Sequence, residues 1–287
     1  AACVKQVDRA LDRYLPKARI TPSTVHKAMR HSMFAGGKRL RPVLAMAAAE
    51  ASGGDPSAAL PAACAVECIH TFSLIHDDLP CMDDDDLRRG KPTCHVVYGE
   101  AVALLAGDAL QALAFEILAQ APKNRRYSAA HTVAELAVTS GSRQLVGGQV
   151  LDLEGEGNTK LTKQQLRAIH ERKTAALLTT SLRLGAMAAG ATPRRLDALT
   201  AFGKNLGLAF QVIDDILDVT ATTEKLGKTA GKDQAVDKST YPSVVGLEAS
   251  RKEAGRLTRA ATRALGPFGK SATRLHGLAA YLLDRDY

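Results

Sequence analysis

Six carboxylates lie between positions 77 and 86, as Asp77-Asp78 and Asp83-Asp84-Asp85-Asp86, and three more stand at Asp214, Asp215 and Asp218. Grouped carboxylates repel one another unless a cation joins them. Two such groups facing each other can hold several hard divalent ions. What binds between those ions is then polyanionic, and a diphosphate is the natural candidate. Asp214 and Asp218 are four apart in a helical pattern, so they share a face, with Gln211 one turn earlier. Around them run Leu206, Leu208, Phe210, Val212, Ile213, Ile216, Leu217 and Val219. In so apolar a helix a carboxylate is better explained by a bound cation than by a solvated face.

The first cluster runs on into Leu87, Arg88 and Arg89. A calcium loop of the EF-hand type fails in both registers. Counted from Asp83, the glycine position is Arg88 and the terminal glutamate position is Cys94; counted from Asp85, the third position is Leu87 and the twelfth Val96. Carboxylates followed by arginines suit magnesium shared with phosphate oxygens, because that ion takes few protein ligands and fills its octahedron with water and phosphate. Arginine supplies forked donors for the remaining oxygens. Other basic residues fit the same picture. Lys38 and Arg41 follow the Gly36-Gly37 turn, where a phosphate could approach closely; Lys173-Thr174 sits in an otherwise apolar helical stretch; Lys228, Lys232 and Lys238 lie in a glycine-containing stretch after the second cluster that could fold over a diphosphate. His70 lies two turns before Asp77 on nearly the same face. No phosphate-binding P-loop, dinucleotide glycine motif, H-E-x-x-H or G-x-S-x-G occurs.

The elements that must carry these groups read as helices. Apolar residues recur at helical spacing from Leu60 to Asp78, and Pro80 ends that pattern, so the first aspartates sit at a helix C-terminus. The macrodipole is negative there and disfavours each carboxylate by roughly 0.3–1 kcal/mol, a local conflict that itself suggests a bound cation. Further helices are expected over 5–16, 23–35 with Ser23 as N-cap, 42–52, 100–120, 127–151, 162–185 opened by the Thr162/Gln165 capping box, 194–219, and from 242 to the end. The 287 residues, 46% apolar with no Trp, support an all-α fold, a large helical bundle forming one domain over 1–287.

The formal charge is +8, but no compact Lys/Arg block interleaved with aromatics appears, so nucleic acid is not an expected partner. The five cysteines lack a disulfide or zinc spacing; Cys64 and Cys68, one turn apart in an apolar stretch, read as reduced core residues. No transmembrane helix is expected. The cytoplasm is the expected location, with a plastid the alternative if a transit segment has been removed.

Taken in order, Gly36-Gly37-Lys38-Arg39-Leu40-Arg41-Pro42, the stretch from Ser73 to His95 containing both halves of the first cluster, Gly148-Gln149-Val150-Leu151-Asp152, Lys173-Thr174, Phe210-Gln211-Val212-Ile213-Asp214-Asp215-Ile216-Leu217-Asp218 and Gly227-Lys228-Thr229-Ala230-Gly231-Lys232-Asp233 resemble the trans-isoprenyl diphosphate synthases, the short-chain polyprenyl synthetases. The likeness spans roughly residues 25–245. It implies a barrel of helices around a deep central cavity, a homodimer, and three magnesium ions, or manganese in their place. Asp77 and Asp83, with Asp78 nearby, and Asp214 with Asp218 are the implied metal ligands; Asp215 and Lys173 join the implied catalytic set. Arg88, Lys173, Thr174, Gln211, Lys228 and Lys238 are implied around the allylic diphosphate. Lys38, Arg41, His70 and Arg89 are implied around isopentenyl diphosphate. Gln149 and Asp152 are implied to line the cavity.

The implied reaction is ionisation of the allylic diphosphate, attack by the isopentenyl double bond and loss of a proton, with water excluded from the cation. The chain would grow back along the helix carrying Asp77, with Phe72 and Ser73 as the first floor and Cys68 and Ile69 the next layer. An aromatic at position 72 resembles farnesyl-type bacterial enzymes, so farnesyl diphosphate is the expected product and geranylgeranyl diphosphate the alternative. A terpene cyclase normally carries a second metal motif rich in Asn, Ser and Glu, unlike Asp214-Asp215-x-x-Asp218. A non-catalytic partner subunit would be expected to have damaged aspartate motifs, and both are whole here.

Overall fold

The computed structural model describes residues 2–122, 124–157, 161–220 and 239–283. The helices are α1 (Ala2–Tyr14), α2 (Ser23–Met33), α3 (Leu40–Ala51), α4 (Leu60–Asp77), α5 (Cys94–Tyr98), α6 (Glu100–Ala119), α7 (Ala129–Ser140), α8 (Leu145–Gly155), α9 (Lys163–His170), α10 (Ala176–Ala188), α11 (Pro193–Thr220), α12 (Tyr241–Val245), α13 (Leu247–Ala264) and α14 (Thr273–Leu283). Among the described residues the only strands are β1 (Leu87–Arg88) and β2 (Lys91–Pro92), a two-stranded antiparallel hairpin.

The centre of the bundle is α3, α4, α10 and α11. Nearly every residue of α4 from Ala62 to Ile69 is buried, as expected of a helix that is apolar all round. Small residues let these helices approach closely. A Cβ on Gly185 of α10 would collide with the Ala45 carbonyl of α3, and one on Gly203 of α11 would collide with Thr179 of α10. Around this centre α6 packs on α4, and the amphipathic α13 lies along α11. By length and composition 56–77 and 100–119 could each cross a membrane; the first is mostly buried in the fold, whereas α6 leaves Leu104 and Leu105 exposed.

Three expected elements differ. The stretch 127–151 is two helices, α7 and α8, parted at Gly141, whose extended backbone (ψ −173°) cannot continue a helix. The stretch from Thr162 does run on to Ala188 and opens with the expected capping box, but it contains a π turn over Glu171–Ala175. Ser23 begins α2 without capping it: Pro22 is the N-cap residue and makes no side-chain bond. Cys64, Cys68 and Cys94 are buried thiols, and burial pushes Cys64 up to about 12.

Candidate active site

The first cluster is built on the end of α4. Asp78 is the C-cap, and the chain then folds back: Met82 and Asp84 donate their N–H groups to the Leu79 carbonyl at 2.8 and 3.2 Å, and Asp83 donates to the Asp77 carbonyl at 2.8 Å. Asp84 takes a positive φ of 49° to allow this. The fold-back brings Asp83 beside Asp77 while satisfying carbonyls the helix end leaves open. Asp77 is half-buried, and its carboxyl is pushed up to about 6 by burial and by the nearby Asp83 and Asp152 charges, against the pull of Lys173 and Arg88. A carboxylate placed so is relieved by a bound cation.

The hairpin that follows turns at Arg89-Gly90, both with positive φ (56° and 73°), the twist that suits a tight two-residue turn. It aims the two arginines differently. Arg88 grips Asp78, its Nε 2.7 Å from Oδ1 and its Nη2 also on that oxygen, with Asp85 at 3.6 Å. Asp78 is buried, and its carboxyl is raised by burial although Arg88 pulls it down. Thus Asp78 and Arg88 meet each other rather than both facing the cavity. Arg89 donates to the Gly36 carbonyl and lies against Gly37, where any Cβ would strike its guanidinium. The Gly36-Gly37 turn therefore seats an arginine here.

Beyond that turn the basic residues part company. Lys38 is exposed and stands over the Tyr281 ring, 5.4 Å from its centroid. Arg39 is buried, bonded to Asp8 at 2.8 Å, Glu67 at 2.9 Å and the Met33 carbonyl at 2.7 Å, and it fastens α3 to α1 and α4. Arg41 lines the cavity. Its Nε is buried without a hydrogen-bond partner among the described residues, and burial brings its guanidinium down to about 10 despite the Glu67 charge. His70 lines the same space, its imidazole held well below its ordinary value by burial and then by Arg41, Arg89, Arg88 and Arg39.

The cavity has a volume of about 470 Å³. One wall is α4, with His70, Phe72, Ser73, His76 and Asp77; the opposite wall is α8, with Leu145, Val146, Gln149, Val150 and Leu153, joined by Leu104 of α6. Lys173 and Thr174 stand at its polar end, on the π turn, a helix widening common at functional sites. Lys173 reaches Asp152 of α8 at 2.7 Å. The apolar stretch of α8 carries a 3.6-residue stripe, the signal that marks it as the far wall once the break at Gly141 is known.

The second cluster rides on unbroken helix. Gln211, Asp214 and Asp218 lie on one stripe of α11, and Gln211 accepts a hydrogen bond from Thr174 at 2.9 Å, which ties this stripe to the polar end of the cavity. Asp215 turns aside. Its Oδ2 accepts the backbone N–H of Tyr241 at 2.8 Å and lies 3.8 Å from His170 Nε2, so it joins α11 to α12 and α9 instead of standing with Asp214 and Asp218. Lys228, Lys232 and Lys238 lie outside the described residues. Among the described residues no three carboxylates, imidazoles or thiols converge on one point. The all-oxygen donors, Asp77 in the cavity wall with Asp83 beside it and the Asp214/Asp218 stripe tied to the cavity's polar end through the Gln211–Thr174 bond, fit magnesium completed by phosphate oxygens.

A family model for polyprenyl synthetases matches residues 22–265. A chloroplastic geranylgeranyl pyrophosphate synthase of Capsicum annuum is 52% identical over 267 residues, covering 92% of this chain and 72% of that protein. The chloroplastic heterodimeric geranylgeranyl pyrophosphate synthase large subunit 1 of Arabidopsis thaliana is 51% identical over 285 residues, covering 97% of this chain and 76% of its own. Among solved structures, a geranyltransferase from Helicobacter pylori complexed with magnesium and isoprenyl diphosphate superposes with a TM-score of 0.83 at 34% identity, over 99% of this chain and 94% of that one.

Proposed function

The chain belongs to the polyprenyl synthetase family and is a short-chain prenyltransferase, and from that premise we propose that it condenses isopentenyl diphosphate with allylic diphosphates to make geranylgeranyl diphosphate. The observation that carries the reading is Asp77 and Lys173 in the wall of an apolar cavity, with the helix of Asp214 and Asp218 tied to its polar end by the Gln211–Thr174 bond. Asp77 and Asp83 on one side and Asp214 and Asp218 on the other would hold magnesium, three ions in our reading. Bound there, it would supply the positive charge that neutralises the leaving diphosphate. Lys173, Thr174 and Gln211 position that diphosphate, and Lys173 exchanges Asp152 for a phosphate oxygen when it arrives. Lys228 and Lys238 complete the allylic side, and Arg88 joins them only on releasing Asp78. Arg41, with its buried Nε, and His70 hold isopentenyl diphosphate beside the allylic carbon, with Arg89 nearby at the Gly36 turn; Lys38 joins them only on leaving the Tyr281 ring. The walls from α4 and α8 keep water from the allylic cation.

The twenty-carbon product is supported by the names of the relatives near 50% identity. A second reading, farnesyl diphosphate, rests on Phe72: its side chain lines the cavity beside Ser73, and Cys68 and Ile69, one turn further back on α4, are fully buried. An assay with isopentenyl and dimethylallyl diphosphates in magnesium, with products sized by mass, decides between them. Absence of any elongation would instead favour a non-catalytic subunit, a reading the two whole aspartate motifs oppose.

We further propose a homodimer. The exposed Leu104 and Leu105 of α6 and Val96 and Val97 of α5 are apolar side chains that a second copy would cover. The Arabidopsis relative is named as a heterodimer's large subunit, so a different partner subunit is the competing occupant, and mass measurement of the purified chain separates the two. The chloroplastic relatives support a plastid over the cytoplasm as the site of action.

A further inference from the structure

We infer that His76 and Gly107 set the depth of the cavity by holding the Phe72 ring across its floor; the inference rests on the chain-elongation reading of this cavity. His76 lies one helical turn beyond Phe72 on α4, and both side chains line the cavity. Their rings meet edge to face, with centroids 5.0 Å apart and planes at 84°. The imidazole is in turn fixed to the neighbouring helix. Its Nε2–H donates to the Leu104 carbonyl of α6 at 2.9 Å, and Asp108 Oδ1 lies 3.8 Å away. The ring occupies a recess that exists only because residue 107 has no side chain: a Cβ there would overlap the imidazole at Nε2 and Cδ2.

Phe72 therefore cannot swing toward α6 without dislodging His76, and His76 cannot move toward α6 at all. Along α4, Phe72 stands about 7.5 Å from Asp77 and Cys68 about 13.5 Å, at ~1.5 Å rise per residue. The growing chain leaves the metal end, passes His76, about 1.5 Å from Asp77 on the same scale, and then meets Phe72. Whether it stops there or passes to the layer of Cys68 and Ile69 depends on that ring, and the ring's freedom depends on the imidazole it leans on. His76 and Gly107 are thus specificity-determining positions, although neither belongs to the floor that the sequence motif marks at Phe72 and Ser73.

Two substitutions act in opposite directions. His76→Ala removes the support and opens space toward α6, so the ratio of product one isoprene unit longer to the wild-type product rises about tenfold, the scale on which one group in an apolar pocket discriminates. Gly107→Ala pushes the imidazole and Phe72 into the cavity, and the distribution shifts to shorter chains by a similar factor. Products are sized by mass after incubation of each full-length variant with isopentenyl and dimethylallyl diphosphates and magnesium. Should Gly107→Ala fail to fold, His76→Ala and His76→Gln carry the test, because Gln keeps a donor for the Leu104 carbonyl but has no ring for Phe72 to lean on. An active His76 variant with the wild-type product distribution overturns the inference. A wild-type protein that elongates nothing overturns the underlying reading instead, and the two failures are told apart by the wild-type lane alone.

Discussion

At the end of α4 the carboxylates are presented by a chain that doubles back over a helix terminus, whereas on α11 they stand on a helix that continues past them on both sides. The first arrangement places negative charge where the helix dipole and burial both oppose it, and Asp77 shows the result in a carboxyl pushed up to about 6. It also surrounds the carboxylates with arginines, one of which is committed to Asp78. The second arrangement commits one of its own carboxylates, Asp215, to holding neighbouring helices. Both clusters share the pattern of two adjacent aspartates and a later one, and in each the second aspartate makes a structural bond, Asp78 to Arg88 and Asp215 to the Tyr241 N–H. In our reading such a carboxylate fixes the direction in which the proposed metal-binding pair beside it points.

The largest effects should come from the outward-facing members. Asp77→Asn and Asp214→Asn should each lower kcat on the order of 10²–10³-fold, the scale of losing one charge-stabilising group, measured by steady-state turnover. Asp77→Asn should also change stability. The Asp77 carboxyl has its folded value above its unfolded one near 3.8, so its share of stability is full below that value and is lost as pH rises through about 6. Metal-free Asp77→Asn should therefore be more stable than the wild type at neutral pH, by on the order of 2 kcal/mol in denaturant melts, with the gap closing toward pH 4. A metal-free Asp77→Asn no more stable than the wild type at neutral pH would show that burial does not strain this carboxyl.

Next in size, Arg88→Ala should cost about 3 kcal/mol of folding stability, because it leaves Asp78 buried and unpaired. Calorimetry that found Arg88→Ala as stable as the wild type would show Asp78 to be solvated. Magnesium with an unreactive allylic diphosphate analogue should stabilise the protein by about 2.7 kcal/mol at a hundred times its Kd, and chelation should reverse this. A thermal shift retained by either aspartate variant would mean that one cluster binds alone. The smallest effect is at Asp215, where Ala should cost about 1 kcal/mol through the lost Tyr241 bond and Asn, which keeps an acceptor, less than that; a kcat loss for Asn as large as that of Asp214→Asn would return Asp215 to the catalytic set.

The helical bundle and both clusters were legible because they depend on spacing along one segment. The capping box at Thr162 is local in the same sense. What sequence could not show is which charges meet. Lys173 and Asp152 are 21 residues apart, and Arg88 had several aspartates to choose from. Lys38 and Arg41 look alike in a motif, but Lys38 precedes the helix that begins at Leu40 and stands exposed over Tyr281, whereas Arg41 in its first turn lines the cavity. The π turn leaves no mark in composition, since it changes only how many residues complete one turn. The break at Gly141 lies in the polar run from Thr139 to Gln144, a signal easily passed over because apolar helical patterns flank it on both sides and no proline announces it.

The π turn that carries Lys173 is held on both sides by residues without side chains. A Cβ on Gly148 of α8 would overlap the Lys173 backbone, and one on Gly207 of α11 would overlap Ala175. In a random screen for loss of function, these two glycines should therefore surface alongside the aspartates, though neither approaches a phosphate. The mutational tolerance of this enzyme is narrow beneath the chemistry as well as at it, and a variant that evolves a new product is more easily reached through the cavity walls than through the seam that supports its lysine.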